Sequence, residues 1–265
     1  MKSQCAPHIN PKNSEVCLRT QTLLEIIDEY NRKNPDKRIS KSGTKEDLWR
    51  RIKRAMNRSC EDNQVCIVKK LHPESSEIIP KYFKPKIPKG KYQWLSTIDI
   101  NNVMEQYEKK YPNFTFVGAI PRDFFNIIKK FGNENLEKLS KKAEKIGIIF
   151  NTDPHYKSGR HWLAIFIDIK GKSIEHFDST GRPPIPEIDE FLKQICKNAY
   201  MNLGICLKKK INNIQHQHKN SECGVYSCYY IIQRLNGRTF EDIVENVISD
   251  DKMNKYRLEY FTRHD

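Results

Sequence analysis

Residues 161–178, H-W-L-A-I-F-I-D-I-K-G-K-S-I-E-H-F-D, constrain the fold more than any other stretch of the chain. The run from Trp162 to Ile167 has no polar residue and so no polar face. A strand of that kind must be covered on both sides, which makes it central to a sheet. Lys170-Gly171-Lys172 is a turn signal, and Ser173 to Asp178 reads as the returning strand. If Lys170-Gly171 is the whole turn, Ile169 pairs with Lys172 and, counting back, Asp178 faces Leu163. Leu163 shares a face with His161. His161 and Asp178 then become diagonal neighbours, roughly 7–8 Å apart at the backbone, a gap that side chains can close. A turn of the other parity puts them on opposite faces. Asp178 also has a plainer reading, as a strand-end turn residue in D-S-T-G.

The chain has 265 residues, enough for one large domain or a core with a small accessory module. With 12 Tyr and 12 Phe it is too aromatic for a disordered chain. No stretch approaches ~18 consecutive apolar residues, so no membrane span is expected. The start, M-K-S-Q-C-A-P-H-I-N, lacks the apolar centre of a secretory signal. Eight cysteines are present and no two form a C-x-x-C pair. All eight are therefore read as reduced thiols in an intracellular, reducing compartment. Cys206, His216, His218 and Cys223 fit no common structural zinc spacing. The net charge of +14 speaks to partners, either as a solvated surface or as attraction to nucleic acid or another acidic surface.

Residues 1–60 read as a small helical module. Leu23, Leu24, Ile27 and Tyr30 recur at helical spacing. Thr44 caps a second helix with Asp47 three residues on, and Arg50, Arg51, Lys53, Arg54 and Arg58 cover its outer faces. Residues 61–91, with Pro73, Pro80, Pro85, Pro88 and Gly90, read as an extended Pro/Lys-rich linker. Residues 92–265 read as the main domain. It is predicted to hold a helix over 99–110 capped by Asp99, a strand near 114–117, a helix over 133–145 and a strand over 146–151. The hairpin follows, then a helix over 186–202, a strand near 207–214, a helix from Cys223 and two closing helices. Helices and strands alternate without strict β-α-β order, which is the pattern of an α+β fold.

Cys223 lies in N-S-E-C-G-V-Y-S-C-Y-Y-I-I, at the start of an apolar helical run. A helix N-terminus favours a thiolate, and Gly224 lets another backbone or a substrate come close. The plainer reading of such a residue is a buried, inert thiol, as expected for Cys228 one turn later. A nucleophilic cysteine needs a base, and His161 at the mouth of a central strand is the candidate, with Asp178 to orient it. His155, in the preceding loop, is a rival without a comparable partner. Gln217, six residues before Cys223, could donate to an oxyanion beside the Cys223 N–H, although Gln215 is equally polar.

Together these motifs resemble the SUMO-protease/adenovirus-protease clan of cysteine peptidases, and most closely the polyprotein-processing proteases of large cytoplasmic DNA viruses. The likeness rests on W-L-S-T-I-D-I-N-N-V-M-E-Q-Y from Trp94, S-G-R-H-W-L-A-I-F-I-D-I around His161, S-I-E-H-F-D-S-T-G, and Q-H-K-N-S-E-C-G-V-Y-S from Gln217. It covers about residues 92–240 and implies an adenain-like core. It also implies Cys223 as nucleophile, His161 as base then acid, Asp178 orienting His161, and Gln217 in the oxyanion hole. One large-DNA-virus member carries an amide at the Asp178 place. Trp94 and Trp162 match two tryptophans that wall a tunnel over a Gly-Gly terminus, with Gly224 beside them; flat aromatic walls admit only glycine. Glu222 departs from the Asp common before the cysteine, and little effect is expected.

The resemblance implies no cofactor and no metal. Its partner would be a polyprotein or a ubiquitin-like protein with Gly-Gly at the cleavage site. If the protein is viral, it belongs in the host cytoplasm and the virion. The unit over residues 15–60, with Leu23, Leu24, Ile27, Ile39 and the run from Ser42 to Ile52, resembles a SAP module. Such modules contact DNA through the second helix and the loop before it. A helical packing arm with a basic outer face is the plainer alternative, and a DNA-binding virion structural protein the alternative for the whole chain.

Overall fold

The computed structural model describes residues 3–9, 15–90, 92–124, 138, 140–141 and 143–264. The chain divides into two compact units, 1–87 with 258–265, and 88–257.

The first unit contains α1 (Thr20–Lys33), α2 (Lys45–Cys60), α3 (Gln64–Leu71) and α4 (Ser75–Tyr82). Thr44 caps α2 through a complete capping box with Asp47. Leu23, Ile26 and Ile27 of α1 share a core with Leu48 and Ile52 of α2 and Val65, Ile67 and Val68 of α3. The expected linker over 61–91 is corrected here, because most of it is helical. Asn63 caps α3, and the apolar residues of that helix are buried. Proline content misled because Pro73 precedes α4 and Pro80 sits inside it. The cysteine reading is corrected as well. Cys5–Cys17 and Cys60–Cys66 are disulfides, with Cα atoms 5.1 and 5.5 Å apart. Folding brings each pair within bridging distance, which spacing alone does not disclose. Cys196, Cys206, Cys223 and Cys228 remain free.

The second unit is built on one sheet in the order β1 (Phe114–Pro121), β2 (Lys145–Asn151), β3 (Trp162–Asp168), β4 (Ser173–Phe177), β5 (Lys208–Ile211). The β1–β2 and β4–β5 pairs are parallel, and β2–β3 and β3–β4 are antiparallel. As the apolar run requires, β3 is the middle strand and buried along nearly its whole length. One face packs against α6 (Pro186–Leu203), where Ile188, Phe191, Leu192 and Ile195 meet Ile148, Phe150, Leu163 and Ile165. The other face carries α7 (Cys223–Leu235), whose first ten residues are all buried. A helix apolar on every side belongs inside a core. On that side Phe177 stacks on Tyr230, with ring centroids 4.5 Å apart.

The helix α5 (Thr97–Lys110) packs on β1. Ser96, rather than the expected Asp99, is its cap, and Asp99 completes a capping box three residues later. Two helices close the chain, α8 (Phe240–Glu245) and α9 (Asp250–Tyr260). The helix expected over 133–145 falls largely outside the described residues. The strand expected over 207–214 is shorter, because Asn212 turns away to donate its side-chain amide to the Asp178 carbonyl at 2.7 Å. Among the described residues no helix is long and apolar enough to cross a membrane.

Candidate active site

The hairpin register places two of the predicted residues side by side. Ala164 pairs with Phe177 and Asp168 with Ser173, the parity that sets Asp178 opposite Leu163. His161 directly precedes β3 and Asp178 directly follows β4, so both stand at one end of the sheet. His161 Nε2 lies 2.7 Å from Asp178 Oδ1. Cys223 acts electrostatically on the same ring, favouring its protonated form.

Burial alone would depress the pKa of His161. The hydrogen bond to Asp178, then the influence of Cys223, outweighs burial and lifts the value to about 9. Burial would raise Asp178, but its bond to His161 and its contacts with Thr180 hold the carboxyl below the usual range. The Thr180 backbone N–H and hydroxyl both donate to Asp178 Oδ1, each at 2.8 Å. Three contacts thus converge on the one carboxylate oxygen, Oδ1.

Cys223 is the first residue of α7 and is almost fully buried. Space around its neighbour Gly224 is already taken. A Cβ there would stand 3.0 Å from Leu95 Cβ and 3.3 Å from Trp162 Cδ1. Gly224 is needed because Leu95 and Trp162 pack directly onto the first turn of α7. Trp162 is buried and donates its indole N–H to the Leu95 carbonyl at 2.9 Å. Trp94, next to Leu95, is 44% exposed and borders a cleft of about 670 Å³ that also contains His161, Asp178 and Gln217.

Gln217 is buried. Its Oε1 accepts from the Ser179 hydroxyl at 2.7 Å, and its Nε2 donates to the Lys219 carbonyl at 2.7 Å. The second Nε2 proton makes no hydrogen bond among the described residues. The Ser179 carbonyl accepts the N–H groups of both His216 and Gln217, each at 2.8 Å. Gly181, at φ +70°, lets this turn lie against residues 214–215; a Cβ there would be 2.8 Å from the Gln215 nitrogen. Sequence reasoning singled out Asp178 in D-S-T-G but missed that Ser179 holds Gln217 and Thr180 holds Asp178. Nothing local signals a contact made across 38 residues.

His155 does have a carboxylate partner, contrary to expectation: its Nδ1 lies 2.7 Å from Asp123 Oδ2. The imidazole whose pKa Cys223 raises is nonetheless His161. Cys228 is fully buried, and burial pushes its thiol far up. Glu222 does more than its type suggested. Its buried carboxylate accepts from the Ser221 N–H and hydroxyl and from Asn254 Nδ2, at 2.9, 2.7 and 2.7 Å. Buried Arg257 donates to Asn254 and to the Ser221 carbonyl. The segment entering the cysteine is therefore tied to α9.

Residues 91–265 match the model of the Ulp1 protease family, C-terminal catalytic domain. A thiol protease of Acanthamoeba polyphaga mimivirus is 31% identical, over 97% of this chain and 92% of its own. The chain belongs to the Ulp1 protease family. It is a cysteine peptidase of that family. The SUMO-1 cysteine protease of African swine fever virus is 28% identical over 98% of this chain and 95% of its own length. The crystal structure of the African swine fever virus protease shares the fold, with a TM-score of 0.72 at 23% identity, covering 98% of this chain and 96% of that one. Both similarities extend beyond the Ulp1 family segment, into the helical first unit.

Proposed function

We propose that this peptidase is an endopeptidase cleaving after Gly-Gly, with viral structural polyproteins as its substrates during virion maturation. The observation that carries this reading is the His161 ring bonded to Asp178 at 2.7 Å, with its protonated form favoured by Cys223. In it, Cys223 attacks the glycine carbonyl carbon while the ring holds the proton. The Cys223 N–H and the second Gln217 Nε2 proton stabilise the oxyanion. Imidazolium His161 protonates the departing amine, and water, deprotonated by the same ring, hydrolyses the thioester. Asp178 keeps the imidazole in one orientation throughout. Trp94 and Trp162 line the approach and favour glycine by leaving no room for a side chain; Gly224 contributes by letting Leu95 and Trp162 sit close.

Cys223→Ala is expected to abolish cleavage of a Gly-Gly-X polyprotein fragment with an unchanged circular dichroism spectrum. A variant that still processes the fragment would overturn the assignment. A second reading, removal of ubiquitin-like modifiers, is favoured by the SUMO-1 protease name of the African swine fever virus relative. Parallel digestion of a SUMO fusion and the viral-type fragment decides between the two.

The helical first unit serves in this reading as a DNA tether that concentrates the enzyme beside its substrates. Arg54 and Arg58 of α2 form no ion pair among the described residues, whereas Lys41, Arg50 and Lys53 pair with Asp28, Asp47 and Asp62. DNA affinity should fall with salt, and charge removal at Arg54 and Arg58 should reduce the slope. A slope unchanged by that removal would reject the tether.

A further inference from the structure

The cleft beside His161 is asymmetric in charge. Five of its lining side chains are cationic, namely Arg122, Lys157, Arg160, Arg182 and Lys219, against only Asp153 and Asp178 as carboxylates. Asp178 is already committed to His161. Arg122 faces Glu187 at 3.5 Å, and Lys219 faces Asp251 at 2.6 Å. Lys157, Arg160 and Arg182 have no carboxylate within ion-pair distance among the described residues.

These three cations stand on the same two loops that deliver the histidine and the aspartate. Arg160 immediately precedes His161. Its backbone N–H donates to Asn151 Oδ1 at 3.1 Å, and the same oxygen accepts the Asp153 N–H at 2.9 Å. Buried Asn151 therefore staples both ends of the loop that carries Lys157. Arg182 follows Gly181, which is pinned against residues 214–215. The charges are consequently held on fixed backbone around the dyad. A concave wall of one sign concentrates the field inside the cleft.

We propose that this cleft selects substrates with an acidic side chain within a few residues of the scissile glycine, recognised by Lys157, Arg160 and Arg182. The inference rests on the Gly-Gly endopeptidase reading and narrows its substrate class. An arginine or lysine at the same substrate position would meet three uncompensated like charges and be excluded. Arg160 adjoins His161 and its backbone N–H is fixed by Asn151 Oδ1, so it should contribute most.

The test uses the full chain and quenched fluorescent Gly-Gly-X peptides in which each flanking position carries Glu, Gln or Lys in turn. At one position at least, kcat/KM for Glu should exceed Gln by about fivefold, and Gln should exceed Lys. Raising salt from 0.05 to 0.5 M, in order-of-magnitude terms one Debye-length regime to another, should shrink both ratios. In the triple variant Lys157→Gln, Arg160→Gln, Arg182→Gln the Glu-to-Gln ratio should fall to about one. Arg160→Glu with Arg182→Glu should invert the order and favour Lys. Each ratio is taken within one protein, so a general loss of turnover does not imitate the result. Equal cleavage of Glu and Gln peptides at every position, or a preference surviving in the triple variant, would overturn the proposal while leaving the peptidase reading intact. Failure to cleave any Gly-Gly peptide would remove the endopeptidase reading itself.

Discussion

His161 reports on the site through its proton. Its pKa is lifted from the ordinary 6.5 to about 9 by Asp178 and Cys223, against burial. The pairing therefore stabilises the folded protein fully below the unfolded value and is lost as pH rises through about 9. Asp178 works in the opposite sense. Its carboxyl is held below 3.8, so its contribution is present above that value and is lost as pH falls further. Peptidase activity should accordingly show an alkaline fall near pH 9, where the ring no longer carries the proton for the leaving amine. Asp178→Asn should move that fall to lower pH, and a pH–kcat/KM profile of both proteins checks it. An alkaline limb in the same place for both would remove Asp178 from this role. How much of the chemistry could be read in advance differs among residues. Cys223 and His161 stand out because each begins an apolar element with a polar group, a placement visible in local sequence. Ser179 and Asn254 do not, because their partners lie 38 and 32 residues away and only folding selects them.

Secondary-structure elements were legible where apolar period and capping agreed. The capping box of α2 and the β3–β4 turn are cases in point, since both are decided by residues three or four apart. The helices α3 and α4 were hidden by prolines, whose effect depends on where in a turn they fall. Polar burial was also hidden. Glu175 on β4 is fully buried and meets Arg234 of α7 in two contacts, 2.7 Å from Nε and 3.0 Å from Nη2, with the Tyr230 hydroxyl donating at 2.5 Å. The guanidinium also lies over the Phe166 ring. Arg234→Met would leave the carboxylate uncompensated and should cost about 3–5 kcal/mol. Chemical denaturation measures this, and the double variant with Glu175→Gln should recover a good part of the loss.

At the scale of the molecule, the first unit is assembled from both ends of the chain. Thr262 exchanges backbone hydrogen bonds with Pro85 and Ile87, His264 contacts the Lys84 carbonyl, and Phe261 is buried. Deleting residues 261–265 should therefore weaken this unit, with the burial of Phe261 alone worth ~2–3 kcal/mol. Faster tryptic cleavage within residues 61–90 is the expected sign, and an unchanged digestion rate would contradict it. Composition announced a basic, folded chain, but nothing in the amino-acid order announced that its tail completes its beginning. Such closure is a property of tertiary packing alone.

The turn joining β3 to β4 illustrates how far a constraint can reach. It carries no chemical group that the reaction needs, and Lys170 at its tip is well exposed to solvent. Yet adding or removing one residue there slips the ladder by one step and sends every side chain of the returning strand to the opposite surface. The aspartate would then turn its back on the imidazole. A solvent-washed bend thus behaves as a measuring rod for the enzyme, its length fixed by a proton transfer at the far end of the ribbon.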